Sequence, residues 1–323
     1  MKTLKLILIM ALLALNTGKL AAQDVAYEMT VARDGSGDFS SIQAAIDATK
    51  AFPDKPIVIH IKKGVYNEKL RVYPWNTLLT LRGESANETI ISFNDHFDKI
   101  DLGRNSTFHT YTMKVEANDF KAENLTIINS AGPVGQAVAL HVEGDRCQFI
   151  NCRILGNQDT LYAAGEGSRQ YYKNCYVEGT TDFIFGDATA VFDGCTLDNK
   201  SDSYLTAAST PKNRAFGYVF INCKITADNG VTKAYLGRPW RNYAKVVYIN
   251  CELGAHILPE GWANWSGTTR DQTAYYAEYN NKGPGAKTSK RVAWSHQLSK
   301  KEAKKYTLAT IFGGSGTGWV PGE

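Results

Sequence analysis

Apolar and polar positions follow no helical period over most of this chain. Short β-branched and aromatic runs alternate with Gly, Asn and Asp, which is strand and turn chemistry. Six segments share one pattern: FKAENLTI (120–127), CQFINCRI (147–154), QYYKNCYV (170–177), AVFDGCTL (190–197), YVFINCKI (218–225) and VVYINCEL (246–253). In each, a strand-like stretch meets Asn or Gly, then a small or apolar residue, then another apolar residue two further on. The shared corner falls at Asn124, Asn151, Asn174, Gly194, Asn222 and Asn250, at intervals of 27, 23, 20, 28 and 28 residues. Self-similarity at such a period is the mark of a solenoid. Leucine-rich repeats have a similar period but need their own Leu/Asn signature, which is absent. The pattern predicts an all-β fold, a single-stranded right-handed parallel β-helix with one repeat per coil. The recurrent Asn tolerates the left-handed backbone of a sharp corner, and stacked copies can pair their amides.

A solenoid needs covers at its ends. Ser40 with Gln43 predicts a capping-box start for an amphipathic helix over SSIQAAIDATK. Ser299 with Glu302 predicts another for SKKEAKKYTLATIF. The first helix is expected to cap the N-terminal end, and the second to pack alongside or over the other end. Five of the six cysteines (152, 175, 195, 223, 251) fall one after the corner residue and predict an inward column of small thiols; Cys147 lies outside it. Neighbouring coils sit about 4.8 Å apart, whereas a disulfide needs Cβ atoms about 3.8 Å apart, so mostly free thiols are expected over bridges.

The remaining composition sets the compartment. Lys2 and Lys5 precede an apolar run from Leu6 to Leu15, followed by Ala21 and Ala22. Ten apolar residues suit a secretory leader and are too few to span a bilayer. Residues 1–22 are therefore expected to be a signal peptide and 23–323 one β-helix domain, exported to the periplasm or beyond the cell. No cysteine lies at the junction, which argues against a lipid anchor. Three lysines of the leader account for most of the formal charge of +4 in 323 residues. The nearly balanced remainder carries no basic field for nucleic acid.

Register turns spacing into candidate chemistry. Asp159 lies eight residues after Asn151, and Asp182 eight after Asn174. The two carboxylates are thus expected at equivalent places on successive coils, about one strand spacing apart. Gln158 adjoins the first, and Gln136 belongs to the coil before. Two carboxylates that close cannot both ionise freely, so one raised and one lowered pKa are expected. Arg238 in LGRPW is the expected cation. Pro239 keeps it out of the helical region, so that its guanidinium can reach across coils and hold one carboxylate ionised. Trp240 beside it fits a sugar-facing cleft. The six histidines show no ligand spacing, no Ser sits in a nucleophile elbow, and DGSGDF lacks the Lys-Ser/Thr ending of a phosphate loop. Neither a metal nor a cofactor is expected. Tyr162, Phe183 and Trp262 are read either as cleft aromatics or as core, and Glu68 in GVYNE as a structural partner.

At this point the chain resembles the pectin methylesterases of the pectinesterase family, whose members have a pectin-lyase-like solenoid. VARDGSGDFSSIQAAI (31–46), GVYNE (64–68), AGPVGQAVAL (131–140), GNQDTLYA (156–163), GTTDFIFG (179–186) and LGRPW (236–240) follow the family's signatures in family order. The resemblance implies Asp182 as nucleophile, Asp159 as general acid and later base, and Gln136 and Gln158 as the oxyanion site. It implies that Arg238 holds the nucleophile and Trp240 the sugar. Thr107 resembles a further substrate contact, in a loop one residue shorter than the usual plant form. VGQAV lacks the polar residue many relatives carry before the Gln, which bears on subsite preference and not on the chemistry. The substrate so implied is methyl-esterified homogalacturonan, the product pectate and methanol, and the protein a monomer.

Rival readings differ in what they need. A polygalacturonase-like hydrolase wants carboxylates spaced for a water between them. A pectate lyase wants a calcium-binding acidic cluster. A polysaccharide-binding β-helix explains the repeat but not the paired aspartates with Arg238.

Overall fold

Each repeat folds into one coil of three short strands, and corresponding strands stack in register along the axis. The computed structural model describes residues 26–314 and 318–322; the predicted leader lies outside them. Among the described residues all strand pairings are parallel. They form sheets of eleven, eight and seven strands in which each strand's neighbours come from the preceding and following coils. The fold is the predicted right-handed parallel β-helix.

The interior is built from columns. Phe149, Tyr172, Phe192, Phe220 and Tyr248 occupy one register position of the longest sheet on five successive coils. Their rings stack with centroids 4.4–5.0 Å apart and planes within 15° of parallel, close to the strand spacing, so that coil repeat and ring stacking reinforce each other. All six cysteines are free and buried. Burial pushes the Cys147 and Cys152 thiols well above their ordinary pKa, leaving them protonated and inert.

The corner residues take the left-handed conformation: Asn124, Asn151, Asn174, Asn222 and Asn250 have φ of 52–55°, and Gly194 has 64°. Asn151 donates its amide to Asn124 Oδ1 at 2.6 Å. The ladder runs one rung beyond the predicted six, because Asn280 (φ 50°) donates to Asn250 at 2.7 Å.

The first helix is shorter than expected, Ile42–Asp47, and buries Ile42, Ala45 and Ile46 against the first coils. Its cap is Ser41, whose side chain accepts from the Ala44 N–H, and not Ser40. The reciprocal partner expected of Gln43 is instead a carboxylate from another coil. Glu68 accepts from Ser41 Oγ (2.8 Å) and from the N–H groups of Ile42 (3.1 Å) and Gln43 (3.0 Å). A carboxylate at a helix N-terminus is favoured by the dipole, which gives Glu68 the structural role expected of it. At the other end the capping box of Ser299 and Glu302 forms, but the segment breaks into two helices, Lys300–Ala303 and Leu308–Gly313. Ile311 and Phe312 pack on Tyr171, Val191 and Val219, along the outer face of the longest sheet and not over the end.

Candidate active site

The seven-stranded sheet carries the candidate chemistry on its outer face. Here the coils carry two excursions, residues 94–111 and 130–138, which wall a cleft of about 400 Å³. Asp159 and Asp182 stand at the entrance to successive strands, Leu161–Ala163 and Ile184–Gly186. The Asp159 N–H donates to the Thr181 carbonyl at 3.1 Å, placing the two aspartates one coil apart. Both have left-handed backbones, φ 64° and 50°. Only Gly, Asn and Asp visit this region readily, and single strained positions of this kind cluster at functional sites.

Arg238 lies in the extended strand Tyr235–Pro239, as its following proline requires. Register puts Phe185, Ala207 and Arg238 in one row on three successive strands. The small Ala207 leaves a notch across which the guanidinium reaches back. It grips Asp182 through both oxygens, Nε to Oδ1 at 2.9 Å and Nη2 to Oδ2 at 2.7 Å. The guanidinium is itself sandwiched, with Cζ 4.0 Å from the Tyr204 ring centroid and 4.1 Å from that of Trp265. A fork held from both faces and at both tips has one orientation.

Asp159 is 9% exposed and Asp182 6%. Burial, and then the charge of Asp182, hold the Asp159 carboxyl well above the ordinary carboxylate range. Burial also raises Asp182, but the Arg238 fork opposes it. The expectation of opposite shifts is corrected: both pKa values move up, because desolvation acts on both and only one has a cation. Asp159, which has no cation of its own, is the one raised further.

Gln136 and Gln158 meet as a parallel bridge between adjacent coils, with the Ala137 N–H donating to the Gln158 carbonyl at 3.1 Å. Both line the cleft with the two aspartates. Thr107, Arg238 and Trp240 line it too, so the structure gathers seven of the ten candidate residues read from sequence.

The other three, each read as cleft or core, lie outside its lining. Phe183 is 0% exposed and belongs to the main core. It directly follows the left-handed turn at Asp182, which rotates the chain so that Phe183 and Ile184 both point inward. Phe185 is the member of that run that reaches the cleft. Tyr162 stands in the same outer row as Phe185, one coil earlier, half-buried with its ring stacked on Phe185 at 4.5 Å and tilted against Phe108 at 5.1 Å, just outside the cleft lining. Trp262 packs in the core against Tyr248 and Tyr276. The cleft tryptophan of that segment is Trp265. Sequence reasoning also missed Phe97, Arg104 and Phe108 on the first excursion; an irregular loop offers no period from which to read a direction.

Known proteins with this arrangement can now be set beside it. The family model described as pectinesterase matches residues 28–315. Pectinesterase 31 of Arabidopsis thaliana is 40% identical over 281 residues, covering 84% of this chain and 88% of that protein. A solved pectin methylesterase from carrot superposes with a TM-score of 0.83 at 34% identity, covering 88% of this chain and 93% of that one. A crystal structure of a pectin methylesterase in complex with hexasaccharide VII superposes at 0.77 with 30% identity, covering 90% and 98%. The chain spans about half the length, 55% and 48%, of two further Arabidopsis relatives named as probable pectinesterase/pectinesterase inhibitors. A β-helix matched over nearly its whole length, with a carboxylate pair and an arginine fork on one face, makes this chain a member of the pectinesterase family.

Proposed function

We propose that the protein is a pectin methylesterase, hydrolysing the C6 methyl esters of homogalacturonan to pectate and methanol through an aspartyl acyl-enzyme. The observation that carries this reading is the bidentate Arg238–Asp182 pair, one coil from a buried carboxyl with a higher pKa. That is a nucleophile and a proton donor held side by side.

Ionised Asp182 attacks the ester carbonyl carbon. The negative charge that develops on the carbonyl oxygen is received by the side-chain N–H groups of Gln136 and Gln158; removing one such donor costs about 10²–10³ in rate elsewhere. As the tetrahedral intermediate collapses, the C–O bond to methoxide breaks, and Asp159 gives its proton to release methanol. An anhydride between Asp182 and the galacturonate C6 remains. Asp159, now ionised, takes a proton from water as that water attacks C6. Asp182 leaves as a carboxylate and Asp159 is protonated again. Trp240, Trp265 and Phe185 offer apolar faces to sugar C–H surfaces, and Thr107 a hydroxyl.

Because residues 1–22 have the composition of a secretory leader, the enzyme acts outside the cytoplasm on a polymer. Incubation with highly esterified pectin tests the reading. Methanol release without new reducing ends or unsaturated products is expected. New reducing ends would point instead to a glycoside hydrolase, and binding without any product to a polysaccharide-binding β-helix.

A further inference from the structure

The two excursions that wall the cleft leave the β-helix and return to it close together, where the Val138 carbonyl accepts the Thr112 N–H at 3.1 Å. One side chain meets all four ends. Asn129, buried at the end of the strand Thr126–Asn129, donates its amide to the carbonyls of Asp95 (2.8 Å) and Thr110 (3.1 Å). These are the two ends of the excursion that carries Thr107 and Phe108. The same amide donates to the Val138 carbonyl (3.0 Å), and its Oδ1 accepts the Ala131 N–H (3.0 Å). Those are the two ends of the excursion that carries Gln136.

Two amide hydrogens and one amide oxygen serving three carbonyls and one N–H is a set that only a carboxamide can supply at this length. The excursions also lean on each other near the knot. Val138 N–H donates to Thr110 Oγ1 at 2.9 Å, and Phe97 N–H donates to the Gln136 carbonyl at 2.9 Å. Beside its bridge to Gln158 on the next coil, Gln136 is therefore fixed at its own backbone, and at residues 131 and 138 on either side of it, by contacts that lead back to Asn129.

We propose that Asn129 is a positioning residue for the esterase reaction, setting where Gln136 presents its N–H to the developing oxyanion; the proposal rests on the esterase reading above. It touches no substrate and acts through the two loop roots. An aspartate in its place keeps the shape and the acceptor for Ala131 N–H but removes every donor to the three carbonyls.

The test is a double-mutant cycle on methanol release, with wild type, Asn129→Asp, Gln136→Ala and the double variant, each assayed below its own melting temperature. Asn129→Ala is run beside them. Asn129→Asp and Gln136→Ala are each expected to lower kcat by about tenfold or more, with KM little changed. The double variant is expected to be within about twofold of Gln136→Ala alone, because the positioning has nothing left to position. A merely structural Asn129 would give additive losses or none, and either result overturns the proposal, as does failure of both Asn129 variants to fold. Wild-type protein that releases no methanol, or Gln136→Ala with full kcat, would sink the esterase reading and the proposal with it. A slow Gln136→Ala combined with additive or absent Asn129 effects sinks this proposal alone.

Discussion

Two corners of the same β-helix adopt the same backbone and do opposite things. At the asparagine corner, left-handed residues at φ near 50° stack coil over coil, are neutral, and pair their amides with one another. At the aspartate corner, two left-handed residues also stack on successive coils, but they are buried, ionisable and matched to a single guanidinium. The coil geometry is shared. What separates scaffold from chemistry is desolvation, which is cheap for a hydrogen-bonded amide and costly for a carboxylate. The stacking that steadies one corner therefore loads the other.

The comparison makes graded predictions. The largest effect belongs to Asp182→Asn, which removes the nucleophile while keeping shape and left-handed tolerance. Methanol release should fall by about 10³-fold or more, with an unchanged circular dichroism spectrum; retained turnover would remove Asp182 from its role. Arg238→Gln should lower kcat by about 10²-fold. It should also move the acidic limb of the pH–rate profile to higher pH, since the fork holds the Asp182 pKa down against burial. An unshifted limb would mean that another group controls it.

Next come two aromatics, one turned into the core and one facing the cleft. Phe183→Ala should cost about 3–5 kcal/mol of stability, read by denaturant unfolding. Trp265→Ala should leave stability nearly intact while raising KM and lowering kcat, because it releases one face of the Arg238 sandwich.

A smaller effect separates the corners by pH. The folded-state pKa of Asp159 is raised above its unfolded value. Its protonated form therefore favours folding below the unfolded pKa, near 3.9, and this contribution is lost as pH rises through the folded pKa. Asp159→Asn should raise the melting temperature at pH 7 by about 2 °C or more, with the gain fading near pH 3. A gain independent of pH would show that ionisation is not its source. The smallest change is expected at the neutral corner, where Asn151→Ala should cost about 1 kcal/mol and leave kcat unaltered.

Much of this was legible before any coordinates. The repeat interval gave the coil, and the coil gave the register of Asp159 over Asp182. Cys152 to Cys251 at a fixed offset from the corner gave an inward column. The sequence reading failed where direction depends on the chain's path and not on its period. The Phe183–Phe185 run looks uniform, but a left-handed turn one residue earlier sends Phe183 inward and leaves Phe185 at the cleft. Trp262 and Trp265 are equally plausible in GWANWSG, and only the packing of Trp262 against Tyr248 and Tyr276 separates them. Asn129 carried no signal, since one asparagine at a strand end resembles any other until the carbonyls around it are known.

By itself, then, the sequence determined whatever repeats with the coil: the solenoid, the asparagine corner and the stacking of two carboxylates, because a period fixes the position of each residue relative to its neighbours on the next coil. The tertiary structure decided the rest: which aromatics face the cleft, that both carboxyl pKa values rise together, and that Asn129 gathers the roots of two loops. Those outcomes depend on burial and on partners as far as 19 and 56 residues away in the chain, which no local pattern records.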